Sequence, residues 1–144
     1  MTDEQIIKML STHLEILLGV GIICYLILVI EFIIEFKKNG KKQLDKIIIS
    51  RIVIFLVITI ALTSQIVPLY SDIHNSRIIK IDTTVDSKYH RLLLSSGNVY
   101  IKDSVGNDVV LSAVFTNELP ERGFGTVVYT EKSKLFIDFI PKNL

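Results

Sequence analysis

The chain has 144 residues, a formal net charge of +1 from 16 basic and 15 acidic side chains, and a mean hydropathy of +0.48. So balanced a charge argues against a nucleic-acid binder, whose basic face normally shows in the total, and no nucleic-acid partner is expected. The lone cysteine, Cys24, excludes an intramolecular disulfide and reads as a small apolar residue in the middle of an apolar run.

The N-terminus reads as a helix start. Thr2 stands three residues before Gln5, the spacing of a capping box. Ile6, Leu10, Leu14 and Leu17 then recur near the helical period, with Asp3, Glu4 and Lys8 on another face. No proline intervenes, so this segment is expected to continue into the first apolar run, residues 14–36. A second run spans residues 47–69. About 20 apolar residues suffice to cross a bilayer core of about 30 Å. The first half, residues 1–70, is therefore expected to be a transmembrane helical hairpin. The acidic start and the lack of a small-residue cleavage site argue against a cleaved signal peptide.

Lys37, Lys38, Lys41, Lys42 and Lys46 cluster between the runs, and Arg51 follows. The outer flanks carry only Lys8, Arg77 and Lys80. Positive residues are retained on the cytoplasmic side of short loops. Loop 37–46 is thus expected in the cytoplasm, with both termini and residues 71–144 outside it. The same lysines suit anionic lipid headgroups, although topology alone accounts for them. Abundant Ile and Lys without Trp is a composition associated with AT-rich bacterial genomes, so the expected location is a bacterial cell membrane.

Glu31, Glu35 and Arg51 fall inside the runs at the ends nearest the lysine cluster. Glu31 and Glu35 are one helical turn apart, and a tight hairpin brings Arg51 to similar depth, so an intramembrane ion pair is expected. Gly19 and Gly21 lack the small-xxx-small spacing of close helix packing. Thr59, Thr63, Ser64 and Gln65 put polar groups near the end of the second run. Pro68 is expected to end or kink that helix, and Tyr70 suits an interfacial belt.

After Asp72 the periodicity changes. Short strands are expected at residues 77–83, 91–95, 99–103, 109–115, 126–130 and 135–140. Turns are expected at Ser96-Gly97-Asn98, at Gly106-Asn107 and around Glu131-Lys132-Ser133-Lys134. Residues 71–144 are accordingly expected to form a small antiparallel β domain, a barrel or a sandwich, making the whole an α+β membrane protein. At about 70 residues such a domain has one small core and marginal independent stability.

No motif for chemistry stands out. His13, His74 and His90 lack partners at metal-ligand spacing. Ser95-Ser96-Gly97 is not a nucleophile elbow, and Gly123-Phe124-Gly125-Thr126 is not a phosphate loop. No catalytic residue, metal or cofactor is expected. More informative is the partial apolarity of both strand faces. Val109, Leu111, Ala113 and Phe115 share one face, yet Val110 and Val114 lie opposite. Likewise Leu135, Ile137 and Phe139 oppose Phe136, Asp138 and Ile140. A half-exposed strand alternates more cleanly. The candidate partner surface is therefore Val110, Val114, Phe136 and Ile140, with Glu118, Glu121 and Arg122 on a charged loop, where binding residues concentrate.

The sequence Gly97-x-Val99-x-Ile101, followed by Thr126-Val127-Val128 after two spans, resembles the layout of small bacterial membrane proteins such as the NfeD-like family. That resemblance implies an OB-type barrel behind the spans. The fuller glycine pattern of those proteins is missing, and architecture does not fix function. The expected function is a non-catalytic membrane protein whose external β domain binds a protein partner or a second copy, as an accessory subunit or an immunity-type protein. The alternative is a self-assembling pore or holin-like protein, for which the runs offer few pore-lining residues.

Overall fold

A computed structural model describes residues 1–39, 44–92 and 95–142. It holds two helices, α1 (Asp3–Asn39) and α2 (Leu44–His74), and five strands: β1 (Ile78–Leu92), β2 (Ser95–Lys102), β3 (Asp108–Ala113), β4 (Gly123–Thr130) and β5 (Phe136–Pro141). Lys41 and Lys42 of the lysine cluster, and part of the strand expected at 91–95, lie outside the described residues. The chain divides into two compact units. One is Lys8–Tyr70. The other joins Met1–Ile7 to Ser71–Leu144.

Both helices are long and apolar enough to cross a membrane. At 1.5 Å per residue, their 37 and 31 residues span roughly 55 and 45 Å. The N-terminal spacing closes into a true capping box: Thr2 N–H donates to Gln5 Oε1 (2.9 Å) and Gln5 N–H donates to Thr2 Oγ1 (3.3 Å). Pro68 does not end α2, which runs six residues further. A proline removes only one donor from the helical ladder, so a helix can carry one near its end when its neighbours still bond.

Within Lys8–Tyr70 the helices meet through contacts that climb one as they descend the other. A side chain at Gly21 would touch Leu62. The Tyr25 ring lies 5.0 Å from that of Phe55, and its hydroxyl is 2.8 Å from Thr59 Oγ1. Thr59 already spends its hydroxyl proton on Phe55 O (2.8 Å), so Tyr25 is the donor. The other faces stay apolar and exposed, as at Ile22 (62%), Ile49 (62%) and Ile60 (68%).

The strands form one open, antiparallel, five-stranded sheet in the order β3-β2-β1-β4-β5. Ser95 opens β2, whereas the strand expected at 77–83 and the first two residues of the one expected at 91–95, Arg91 and Leu92, belong to a single 15-residue β1. Its first half, Ile78 to Val85, pairs with β4, and its second half, from Asp86 on, pairs with β2. Ser96-Gly97-Asn98 is not a turn but the start of β2, opposite β1 and β3. Glycine is needed at position 97 for close approach: a Cβ there would run into the Lys88 carbonyl oxygen and lie 2.6 Å from Leu119 Cδ1. The turn at Gly106-Asn107 is present, with Gly106 at φ +91°. An isolated parallel bridge, Ser112 to Leu135, links the two edges of the sheet, and Ser112 N–H donates to Lys134 O (2.9 Å).

The core of this unit is Val85, Val99, Ile101, Leu111, Ala113, Leu119, Val127, Tyr129 and Phe136. The buried Asp72 ties the residues after Tyr70 to the β4–β5 turn. Its carboxylate accepts from the N–H groups of Lys132 (3.0 Å) and Ser133 (2.7 Å) and from Ser133 Oγ (2.7 Å). Ser133 also bonds Thr130 Oγ1 (2.7 Å), which accepts from Leu135 N–H (2.8 Å). Each buried polar group in the cluster is thereby satisfied, the condition under which such a network rigidifies a structure.

Candidate functional site

A groove of about 600 Å³ lies over the outer face of β1, β2 and β3, walled by the start of β4. Strand alternation builds its floor. Val85, Val99, Ile101 and Leu111 turn into the core, so Thr84, Asp86, Tyr100, Lys102, Asp108 and Val110 are left on the opposite face. Register aligns them into rungs. Asp86 is opposite Tyr100, which is opposite Val110, and the next rung sets Lys102 against Asp108, joined by a 3.3 Å ion pair. Lys88 Nζ sits 5.7 Å from the centre of the Tyr100 ring, within cation–π range. Arg122, Gly123 and Phe124 form the wall, where Gly123 pairs with Val85 and Phe124 with Thr84.

Two of the expected surface residues, Val110 and Arg122, come together in this groove. Val110 is 47% exposed. Glu118 and Glu121 are exposed, Val114 is half-buried just past the end of β3, and Ile140 is exposed on β5, none of them lining the groove. Phe136 is displaced from the expected surface altogether: it is 3% exposed and belongs to the core. The reason is a bulge. Tyr129 pairs with Phe136 while Val128 pairs with Asp138, so Ile137 is an extra residue and the alternation inverts there.

The loop before the wall is more ordered than its polar composition suggests. Leu119 is buried in the core cluster, and its N–H donates to Tyr89 Oη (3.1 Å). Thr116 Oγ1 accepts from Glu118 N–H (3.1 Å) and donates to Glu118 O (2.8 Å). The turn at the opposite end, between β2 and β3, is fixed by Asp103. Its carboxylate accepts from the N–H groups of Val105 and Asn107 (both 2.9 Å) and from the Asn107 side-chain amide (3.1 Å). The Asn107 N–H, with its side-chain amide next, holds the Asp103 carboxyl below the ordinary aspartate range. On the outer face of β1, Asp82 is likewise held low, first by Lys142 (2.6 Å) and then by Thr126 (2.6 Å). Burial pushes the Tyr129 phenol up.

The ion pair expected between the helices forms, and it takes both carboxylates. Arg51 Nη1 donates to Glu31 (2.7 Å), while Nη2 (2.9 Å) and Nε (3.3 Å) donate to the same oxygen of Glu35. Tyr25 carried no signal beyond being an aromatic residue in an apolar run; its contacts with Phe55 and Thr59 are what place it between the helices.

Chemically, the groove is an aromatic and aliphatic floor with paired charges at its rim. Tyrosine, arginine and phenylalanine are the side chains enriched where proteins bind one another. Among the described residues, no three His, Cys, Asp or Glu side chains gather to hold a metal. No family model, no curated protein and no solved structure matches the chain.

Proposed function

We propose that the chain is a non-catalytic, multi-pass protein of a bacterial cell membrane whose β domain binds a protein partner outside the cytoplasm, as an accessory subunit or an immunity-type protein. In this reading α1 and α2 cross the bilayer, loop 37–46 is cytoplasmic and both termini are outside. The sheet curls into a partly open barrel of the OB type. The order β3-β2-β1-β4-β5, the long shared β1 and the edge-to-edge bridge at Ser112 and Leu135 support that curling, and the outer face over strands 2 and 3 is where such barrels take ligands.

The observation that carries the reading is the rung Asp86–Tyr100–Val110 beneath Arg122 and Phe124. It leaves an aromatic ring and an aliphatic side chain open on a face that strand alternation would otherwise make polar. A photoreactive residue at Val110, in intact cells, is expected to cross-link one protein, whereas the same residue at Ser104, in the exposed β2–β3 turn, is not. Tyr100→Ala is expected to weaken that complex by about 2 kcal/mol, the size of an interface anchor. Recovery of the chain alone from native membranes, at monomeric mass and without a cross-link from Val110, sinks the proposal. Protease added to unbroken cells tests the topology, and a β domain it cannot reach reverses it.

A further inference from the structure

The two outer edges of the sheet are finished differently. On β5, Lys142 N–H donates to Phe124 O (3.0 Å) on the β4 side, so by alternation Phe139 and Pro141 turn their backbone away from β4. The Phe139 N–H is taken by Asp138 Oδ1 (2.8 Å), and Pro141 has no N–H. The stretch of β1 beyond its last β4 pair, Val85 with Gly123, is guarded in the same way: Ser87 N–H donates to Asp86 Oδ1 (2.9 Å). Prolines and charged side chains on an edge keep it from pairing with another chain. β3 carries no such guard. Asp103 N–H donates to Asn107 O and Ser112 N–H to Lys134 O (both 2.9 Å), so the odd-numbered residues of β3 bond β2 and the even-numbered ones turn outward. Ser112 is covered by its bridge to Leu135. Among the described residues, the backbone N–H and C=O groups of Asp108 and Val110 have no partner. The Val110 side chain is exposed on the groove floor, and that of Asp108 is 85% exposed.

We infer that the partner protein docks by adding an extended strand to this edge, antiparallel to β3, with an apolar residue opposite Val110 and a basic residue opposite Asp108. The inference rests on the protein-binding reading proposed above and adds how the partner is held. Backbone chemistry decides the occupant. Outward N–H and C=O groups repeating at strand spacing are matched by another extended backbone. The added strand continues the rungs of the groove. An apolar side chain beside Val110 extends the rung of Asp86, Tyr100 and Val110. In the next rung a cation beside Asp108 continues the alternation of charge begun by Lys102, whereas a carboxylate there is repelled. A second copy of this chain fits poorly. Two β3 strands paired about a two-fold at Val110 set Asp108 of one opposite Ser112 of the other, where Lys134 already sits. A two-fold at Val109 brings Gly106 against that same Lys134, and one at Asp108 sets two carboxylates face to face.

The test uses the purified full chain in detergent micelles. The probe is a synthetic peptide of about nine residues, the length of a long strand. It is rich in threonine and valine, with a central leucine and a lysine two residues later. Its control has the same side chains but N-methyl groups on the leucine and the lysine, whose N–H groups would face β3. Binding is read by fluorescence anisotropy. The unmethylated peptide is expected to bind about tenfold more tightly, the effect of losing two backbone hydrogen bonds. Val110→Pro removes an N–H that β2 does not use and is expected to weaken the unmethylated peptide severalfold, whereas Val110→Ile keeps the affinity. Asp108→Lys is expected to reverse a preference for the lysine peptide over one with glutamate in its place. Should Val110→Pro lower the urea midpoint of the β unit, the methylated control on the parent chain decides alone. Equal binding of the two peptides, or no binding at about 1 mM, overturns the inference. A dimer of the chain that Val110→Pro dissolves overturns it as well. The photo-cross-link from Val110 in intact cells separates the two levels. A partner captured there although neither peptide binds removes this inference alone, whereas no partner and no peptide binding removes the protein-binding reading with it.

Discussion

The helix pair and the β unit solve opposite problems with the same amino acids. In Lys8–Tyr70 the apolar side chains face outward: Ile60 is 68% exposed, and polar groups such as Thr59 and Arg51 are drawn between the helices. In the β unit the apolar residues are inside, with Val99, Leu111 and Val127 fully buried, and charges such as Lys102 and Asp108 stand on the surface. Water accounts for the second arrangement. The first suits the membrane reading proposed above, because in hydrocarbon the backbone must satisfy itself and polar side chains must find one another. The comparison also locates uniqueness. In that reading a lipid-facing helix tolerates many apolar sequences, whereas the β unit depends on single positions where backbone meets backbone.

The largest expected effect sharpens that contrast. A Cβ on Gly125 would meet the Ile140 carbonyl oxygen and lie 2.6 Å from the Phe139 ring. Gly125→Ala is therefore expected to cost about 3 kcal/mol or more, comparable to the whole stability of a domain this small. Limited proteolysis should then degrade the β domain while the helix pair stays resistant in membranes. Gly19, where a Cβ meets open space, provides the control, since Gly19→Ala should leave both units intact. If Gly125→Ala behaves like Gly19→Ala, the tight β4–β5 approach is not a constraint.

Next in size is Asp72→Ala. Three donors, which make four hydrogen bonds to the fully buried Asp72 carboxylate, would lose their acceptor. The expected loss is about 2–3 kcal/mol, read as a lower midpoint in urea for the β unit. Asp72→Asn keeps part of the acceptor set and should fall between. A smaller effect for alanine than for asparagine contradicts the network as described.

Arg51→Glu carries the comparison into the helices. Three carboxylates would then crowd one site, and accumulation of the chain in membranes is expected to fall severalfold, as judged on blots of the membrane fraction. Combining it with Glu31→Arg restores a pair and should restore accumulation. Both variants accumulating like the parent would show that the cluster does not hold the hairpin.

How far the sequence revealed these features follows from the range of the interactions. The helices were legible because length and apolarity are local properties, and the capping box is a three-residue signal. Glu31, Glu35 and Arg51 were legible as a set from matching depths in a hairpin, whereas the simultaneous pairing of Arg51 with both carboxylates needed the side-chain geometry. The β unit was legible in kind but not in register. β1 was read as two strands because its central residues are polar; they are polar because β1 changes partner at Val85 and Asp86 and keeps only alternate residues inside. Gly97 looked like a turn glycine because its real neighbour, the Lys88 carbonyl, is a cross-strand contact invisible to local pattern. Phe136 was assigned to the surface by strict alternation, which one bulged residue, Ile137, is enough to invert. Leu119 was hidden in a loop of polar residues. The groove inherits these limits: Val110 and Arg122 were visible as an apolar residue on the wrong face and a charge on a loop, whereas Tyr100, Phe124 and Asp86 became neighbours only through register.

The smallest expected effect separates the units by pH. Asp103 has a folded-state pKa below its unfolded value because the charged form accepts three hydrogen bonds in the β2–β3 turn. Such a group contributes stability that is fully present above the unfolded value, about 3.9, and is lost as pH falls through the lower folded value. Asp103→Asn removes the titration while keeping an oxygen acceptor. The variant is therefore expected to melt slightly below the parent at pH 6, with the gap closing as the solution is acidified below about pH 4. A gap that stays constant down to pH 2 would mean that the charge on Asp103 contributes nothing and that only the shape of the turn matters. Helicity of the Lys8–Tyr70 unit should not follow this titration, since Asp103 and its three donors all belong to the other unit. A helical signal that moves with it would show that the two units do not respond independently.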